Sequence, residues 1–337
     1  VIGYYVHHVG HGHCHRAAAF ARRWPDCVTG LSSLPRPADW PGPWVQLPRD
    51  DEAELPRDVT AGGRFHWVPE RDPGLLGRMA EISSWIRHLE PDAVVVDVSV
   101  EVATLVRLHG VPVVTVVGPG RRDDPAHLLG LGLAHTLVGF WPDGATDALL
   151  PGLPADVRAR VRPVGGLSRY AVSDAAPSSA TAADGRRRVV LMMGAGGDDL
   201  DPAHVDAARA ATPDWDWTVI GGTAGEWRDD PFPLLLDADV VVTHTGQNAV
   251  AEVAAARRPA VVVPQQRPHD EQHVTAAALA AGGWPVMVEP TLPTTGWPDL
   301  LARAAALDGS RWRDWCDGGA VDRFVGVVRD VAAGGCA

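Results

Sequence analysis

The chain has 337 residues, 46 % of them hydrophobic and 21 % charged, with a formal net charge of −12. That is a globular composition of two-domain length, at about 150 residues per domain, and its acidic balance excludes an electrostatic nucleic-acid binder. All 30 basic residues are arginine, which excludes lysine Schiff-base chemistry and a lysine-bearing P-loop.

The opening "VIGYYVHH" reads as a strand, and "HRAAAFARRW" opens a helix. Residues 35–63, rich in Pro, Asp and Arg, read as a long loop. "DPGLLGRMAEISSWIRHLEP" has helical spacing, "DAVVVDVS" is a buried strand, "EVATLVRLHG" a helix and "VPVVTVVG" a strand. "AVSDAAPSSATAADGRRR" reads as a linker. A second series follows with "RVVLMMGAGG", "DWTVIGGT", "ADVVVTHTG", "RPAVVVPQ" and "WPVMVEP", closed by the amphipathic "AVDRFVGVVRDVAA". Short β-branched runs alternating with amphipathic helices predict α/β architecture with parallel sheets covered on both faces. The expected domains are residues 1–167, a linker over 168–187, residues 188–318, and a C-terminal helix over 319–337.

No apolar run reaches the roughly 18 residues of a membrane span. The N-terminus has neither the basic region nor the cleavage site of a signal peptide. Four cysteines without CxxC spacing fit a reducing compartment. Together these predict a cytoplasmic protein with no transmembrane segment.

Ligands of parallel sheets bind beyond the carboxyl ends of the strands, so the strand-end loops carry the chemistry. In "VGHGHCHR", Gly10 and Gly12 permit a tight turn and close ligand approach. Histidines 7, 8, 11, 13 and 15 crowd this stretch. Their spacing matches neither a HExxH helix nor a zinc finger, so no metal is expected. His7 and His8 read as polar turn residues, while His11, His13 and His15 are candidates for a general base. Asp97 ends the buried run "AVVVD", where a carboxylate is costly unless paired. It either orients a histidine or caps the following helix. In "LMMGAGGDD", Gly196 and Gly197 precede a helix start and could bring backbone N–H groups onto a phosphate. "HTGQNAVAE" places Thr245, Gly246, Gln247, Asn248 and Ala249 at another helix start, with Glu252 behind. Asn248 is the only asparagine of the chain, and Gln247, Gln265, Gln266 and Gln272 are four of its five glutamines. Amides bond polyol edges without carrying charge. Asp270, Glu271 and Gln272 open one more helix. Several of the 13 tryptophans lie in loop-like text, in "ADWPGPW" and "RFHWVP", where they could line an apolar cleft.

The segment "VVVTHTGQNAVAEVAAARRPAVVVPQQRPHDEQHVTAAALAAGG" resembles the donor-binding region of GT-B glycosyltransferases. It is similar to the MurG-like group and to the macrolide and plant UDP-sugar transferases. Gly246, Glu252, Pro259, Pro264, Glu271 and Gln272 follow the family order. "GHGHCHR" resembles the family's N-terminal Gly/His loop, and "VVVDVSVE" its strand-end aspartate. Departures are Ala249 at a small or hydroxyl position, Thr275 where Asn is common, and Arg258 in place of Gly.

The resemblance implies two facing Rossmann-like domains with a cleft between them and a C-terminal helix able to cross back to the first. It implies an inverting, metal-independent glycosyltransferase of natural-product type, without a cofactor. The donor is a nucleotide-diphosphate sugar, UDP-linked by preference. His13 is the implied base and Asp97 its orienting partner. Gly12, Gly196, Gly197, Thr245, Gly246, Gln247, Asn248, Ala249, Glu252, Gln265, Gln266, Asp270, Glu271 and Gln272 are the implied donor-binding residues. The acceptor is expected near residues 35–70, as a small molecule or a glycolipid. The competing readings are a nucleotide-sugar epimerase or hydrolase of the same fold, and a non-catalytic partner subunit.

Overall fold

The structure, a computed structural model, describes residues 1–8, 11–173, 185–194 and 201–334. It divides into two compact units. The first comprises residues 1–139, 152–164 and 321–337, and the second 140–151 and 165–320.

The first unit runs β1 (Ile2–Tyr5), α1 (His11–Arg23), β2 (Val28–Ser32), β3 (Trp44–Gln46), α2 (Pro73–Leu89), β4 (Ala93–Asp97), α3 (Val100–Leu108), β5 (Val113–Val116), α4 (Pro125–Leu133) and β6 (Thr136–Gly139). The chain then enters the second unit for α5 (Thr146–Leu149), and returns for α6 (Ala155–Arg158) and β7 (Val161–Pro163). The sheet order is β3-β2-β1-β4-β5-β6-β7, with every neighbouring pair parallel. β1, β4 and β5 are buried throughout because helices cover both faces, as their unbroken Val, Ile and Tyr text requires. The order reverses between β1 and β4, so the loops after these two strands diverge and open a crevice at their carboxyl ends.

The second unit runs β8 (Arg187–Met192), α7 (Pro202–Ala211), β9 (Trp215–Ile220), α8 (Phe232–Asp237), β10 (Val240–Thr243), α9 (Gln247–Ala256), β11 (Ala260–Val262), α10 (Glu271–Ala281), β12 (Val286–Val288) and α11 (Trp297–Ala305). Its parallel sheet is ordered β12-β11-β10-β8-β9. Val189, Leu191, Val240, Val242 and Val261 pack under Trp217 and Trp297, whose rings meet edge to face at 5.1 Å.

The last helix, α12 (Ala320–Ala332), contributes to the core of the first unit. Phe324, fully buried, lies 4.7 Å from the Phe20 ring and 6.2 Å from Tyr4. Arg329 sits over Trp24 at 4.7 Å.

Two boundaries differ from the sequence expectation. Residues 140–151, expected in the first domain, pack in the second unit, where Gly165 N–H donates to the Trp141 carbonyl and α5 lies on α10. The stretch expected to be a free linker is docked over its described start. Ser173 N–H donates to Ala255, and Arg169 pairs with Glu252 at 2.9 Å. Composition rich in small residues does not reveal such pairings, because they depend on partners about 80 positions along the chain. No helix among the described residues is long and apolar enough to cross a membrane.

Candidate active site

In the first unit, β1 and β4 are direct neighbours, with Tyr5 opposite Val96. Their shared carboxyl edge therefore brings the start of α1 against the end of β4. His13 stands in the first turn of α1, and its Nδ1 lies 3.0 Å from Asp97 Oδ1. The pair sits at charge-pair distance, with the Nδ1–H direction off the line of a well-aligned hydrogen bond. Asp97 has no exposed surface. Burial raises its pKa, but the Arg16 guanidinium and then His13 outweigh that and hold the carboxyl below the usual range. Arg16 Nη1 donates to both carboxylate oxygens at 2.9 Å, and the Tyr4 hydroxyl reaches Oδ2 at 3.5 Å. Asp97 thus stays anionic and serves as a fixed counter-charge.

Asp97 is not the cap of α3. Ser99 takes that place, its Oγ accepting from Val102 N–H at 3.1 Å. The turn between them puts Val98 at φ 65°, a left-handed conformation that a β-branched residue adopts only under strain, at about 1–3 kcal/mol. Arg16 was passed over in the sequence. Its signal is the i, i+3 spacing from His13, which puts both on one helix face.

His7 and His8 stack at 4.9 Å, and His7 lies 5.9 Å from the His13 ring. His8 Nε2 lies 3.2 Å from Asp51 Oδ2. Asp50, beside them, is ion-paired to the buried Arg78 at 2.7 Å. His8, Asp50 and Asp51 have the donor set of a cation site, their ligand atoms within 4.8 Å of one another. Arg78 already supplies Asp50 with a positive charge at contact distance. Gly12, at the second position of α1, is part of the helix; Gly10 lies outside the described residues.

Burial, then the charges of His13 and His8, push the His7 pKa down to about 3. Burial lowers His127 to about 4 against the pull of Asp124. An unfolded histidine titrates near 6.5. Both folded values are depressed, so the stability tied to the neutral rings is complete above pH 6.5. It is lost as pH falls towards the folded values. Urea unfolding is expected to show a loss on the order of 1–2 kcal/mol per histidine between pH 7 and pH 5. His7→Gln removes its share, and a flat profile over that interval contradicts the assignment.

In the second unit, the end of β10 leads through His244, Thr245 and Gly246 into α9. Gly246 caps α9 without a side-chain hydrogen bond. The first-turn N–H groups of Gln247, Asn248 and Ala249 have no intrahelical acceptor, and the helix dipole points its positive end along them. Gln247 and Asn248 are half-buried and Ala249 is buried, so Ala249 can offer only its backbone.

His244, another residue passed over, organises the turn. Its Nδ1 accepts from Gly246 N–H at 2.9 Å, which leaves the ring proton on Nε2. A Cβ at Gly246 would come within 2.5 Å of the ring, and one at Gly194 within 2.9 Å of Nε2, so both glycines make room for it. Gly196 and Gly197 lie outside the described residues.

Gln272 and Thr245 are struts. Gln272 is 3 % exposed; its Oε1 accepts from Gln265 N–H at 2.9 Å and its Nε2 faces His244 Nδ1 at 3.4 Å. The Thr245 hydroxyl donates to the Gln272 carbonyl at 2.6 Å. These bonds tie the β10 loop to the β11 loop. The Gln265 carboxamide oxygen accepts from Arg267 at 3.0 Å, and Gln266 is exposed. His269 and Asp270 both take left-handed φ, at 61° and 53°, and turn the chain sharply into α10. Asp270 makes no capping bond, and Glu271 is half-buried in the first turn.

Glu252 lies deeper in α9 and is 8 % exposed. Burial raises its pKa, opposed by Arg169, whose Nε donates to Oε1 at 2.9 Å. Arg169 takes one of its two carboxylate oxygens. No local sequence signal joins these residues, which are 83 positions apart.

Of the tryptophans of the long loop, Trp40 is buried and Trp44 and Trp67 are half-buried. Trp40 donates to the Pro43 carbonyl, and Trp44 meets its ring edge to face at 4.9 Å and donates to the Leu34 carbonyl. Trp67 donates to Asp50. They support the β3 edge of the sheet.

Residues 218–291 match the Glycosyltransferase family 28 C-terminal domain, a span that contains the β10–α9 turn and the start of α10. A UDP-N-acetylglucosamine--N-acetylmuramyl-(pentapeptide) pyrophosphoryl-undecaprenol N-acetylglucosamine transferase of Actinobacillus pleuropneumoniae is 38 % identical over 68 residues, 20 % of this chain and 19 % of the relative. The enzyme of the same name from Clavibacter michiganensis is 31 % identical over 239 residues, 60 % of this chain and 62 % of the relative. The chain thus spans from about a fifth to about three-fifths of these relatives. The crystal structure of the glycotransferase of kitacinnamycin superposes with a TM-score of 0.67 at 16 % identity, over 98 % of both chains. These matches bear out the resemblance to MurG-like and UDP-sugar transferases, and the fold is that of GT-B glycosyltransferases.

Proposed function

We propose that the protein is an inverting glycosyltransferase that moves a sugar from a nucleotide diphosphate to a hydroxyl acceptor. A UDP-linked sugar is the favoured donor, as the names of the curated relatives suggest. The observation that carries the reading is the uncapped first turn of α9 inside the glycosyltransferase-matched segment. Its N–H groups suit a leaving diphosphate and supply electrostatic stabilisation without a metal. Gln272 and Thr245 hold that turn in place. Glu252 and Glu271 are the carboxylates for ribose and sugar hydroxyls, and Arg169 sets the orientation of the first.

In the first unit, Asp97 selects the His13 tautomer protonated on Nδ1, which leaves the Nε2 lone pair to act as base. The acceptor oxygen loses its proton to Nε2 as it bonds the anomeric carbon. The bond from that carbon to the diphosphate oxygen breaks, and its electron pair leaves with the nucleotide. One displacement inverts the anomeric centre.

Thermal unfolding with UDP-, GDP- and dTDP-sugars tests the donor half, since a ligand of the native state at 100 times its Kd adds about 2.7 kcal/mol. The expected results are a rise in Tm with the UDP-sugar and nucleotide release that persists in EDTA. A strict requirement for Mg²⁺ or Mn²⁺ contradicts the proposed stabilisation of the leaving group. Conversion of donor without any acceptor would replace this reading with an epimerase or hydrolase, and the absence of any nucleotide effect with a non-catalytic subunit.

A further inference from the structure

Glu252 is held by Arg169, and Arg169 is itself held. Its guanidinium carbon lies 4.7 Å from the centre of the Tyr170 ring, within the roughly 6 Å over which a cation is attracted to an aromatic face. The Tyr170 ring stacks on Phe232, the first residue of α8, with centroids 4.4 Å apart and planes 12° from parallel. All four residues belong to the second unit. They form one line of contacts that runs from Phe232 through Tyr170 and Arg169 to Glu252 on α9.

The Tyr170 N–H donates to Ser168 Oγ at 3.0 Å, and the Ser173 N–H donates to the Ala255 carbonyl of α9 at 2.8 Å. These two bonds dock the segment that carries the ring. The Tyr170 hydroxyl adds no well-aligned hydrogen bond, although it is buried, so the ring face is what this residue contributes. The Arg169 side chain is 25 % exposed, and a long side chain loses rotamer entropy when it is fixed in one geometry. A ring beneath the guanidinium preorganises it and lowers that cost.

The carboxylate depends on this hold. Burial raises the Glu252 pKa, Arg169 opposes the rise, and Asp230, in the loop before α8, adds to it. The helix α8 and the 3-10 turn Gly309–Asp314, both packed on α9, supply no further charge that acts on Glu252. Tyr170 stays neutral, because burial, then Glu252 and Asp230, raise its own pKa.

We propose that Tyr170 is a positioning residue for the donor carboxylate: its ring, backed by Phe232, sets the Arg169 guanidinium so that Glu252 stays ionised and presents its other oxygen to the nucleotide. The proposal rests on the transfer reading above, in which Glu252 meets the ribose. Tyr170 acts through Arg169 and Glu252 and touches no ligand.

Calorimetric titration of the intact protein with UDP, repeated from pH 7.5 to pH 5.5, tests it. The titration of UDP itself is common to every protein, so the ratio of variant to parental Kd reads the protein alone. Tyr170→Phe keeps the stack and removes only an unpaired hydroxyl. Its ratio is expected to stay near one, and it melts no lower than the parent. Tyr170→Leu removes the stack. Its ratio is expected to be about threefold at pH 7.5, the loss of a cation–π contact, and to widen to more than about tenfold at pH 5.5. The widening follows because a loosely held Arg169 lets the Glu252 pKa rise, and the carboxylate then takes up a proton as pH falls. Phe232→Leu removes the other half of the stack and is expected to move the ratio in the same direction, which keeps the test open if Tyr170→Leu folds poorly. Ratios that do not change with pH in either leucine variant, or a Tyr170→Phe variant that weakens UDP as much as Tyr170→Leu, overturn the proposal. A parent that binds UDP while those ratios stay flat leaves the transfer reading standing, whereas a parent that ignores UDP ends both.

Discussion

Replacement of His13 by alanine is expected to lower kcat by about 10²–10⁴-fold, the contribution of a positioned general base. The change leaves the fold nearly intact, because the side chain is 22 % exposed and, among the described residues, its charge partner is Asp97. Donor binding, measured with UDP, stays at the parental value, since the α9 turn lies in the other unit. A rate within a few-fold of the parent would remove His13 from the base position. His15→Ala and His11→Ala serve as controls in the same assay, and a collapse in either would transfer the assignment. Single-turnover measurement separates chemistry from product release, so a slow release step does not mask the effect.

Asp97→Ala is expected to act on stability and rate together. The carboxylate is fully buried and Arg16 is 7 % exposed, so the substitution leaves an arginine charge inside the protein without its counter-ion. Breaking a buried pair from one side costs about 3–5 kcal/mol. Replacing both partners with apolar residues, Asp97→Leu with Arg16→Met, is expected to cost less than the single change, because no charge is then stranded. The folded pKa of Asp97 is depressed, so its contribution is present above the unfolded value near 3.9 and is lost as pH falls through the folded value. The stability gap between parent and Asp97→Ala should therefore stay constant from pH 7 to pH 5 and close only at lower pH. Asp97→Asn preserves shape while it removes the charge that fixes the His13 tautomer. It should lower kcat with a smaller loss of stability. A gap that closes already at pH 6, or an Asp97→Ala variant as stable as the parent, contradicts the structural account of the Asp97–Arg16–His13 cluster.

The sequence was informative where local chemistry decides structure. β-branched runs such as "DAVVVD" and "ADVVVT" specify buried parallel strands, because nothing else accommodates unbroken apolar text of that length. Asp97 at the end of such a run demanded a partner on desolvation grounds alone, and the structure supplies Arg16 and His13. The glycine before α9 marked a helix start open to an anion, and that helix does begin without a side-chain cap. The order of Gly246, Glu252, Pro259, Pro264, Glu271 and Gln272 carried the resemblance to GT-B glycosyltransferases, and residues 218–291 match the Glycosyltransferase family 28 C-terminal domain.

Assigning roles to individual side chains needed the tertiary structure. Gln272 reads in sequence as a group for sugar hydroxyls, yet in the fold it is 3 % exposed and braces two loops. Glu252 is implied in sequence as a donor-binding carboxylate, and only the fold shows it bonded to Arg169, 83 positions away. The tryptophans of residues 35–70 read as a cleft; in the fold Trp40 is buried and Trp44 and Trp67 are half-buried, each bonded to a backbone carbonyl. The distinction has one physical cause. Strand, helix start and buried charge are set by a residue and its near neighbours, through backbone sterics and desolvation. Pairing and bracing depend on which distant segments the sheet order brings together, and two-fold choices such as base or cap at Asp97 are resolved only when that packing exists.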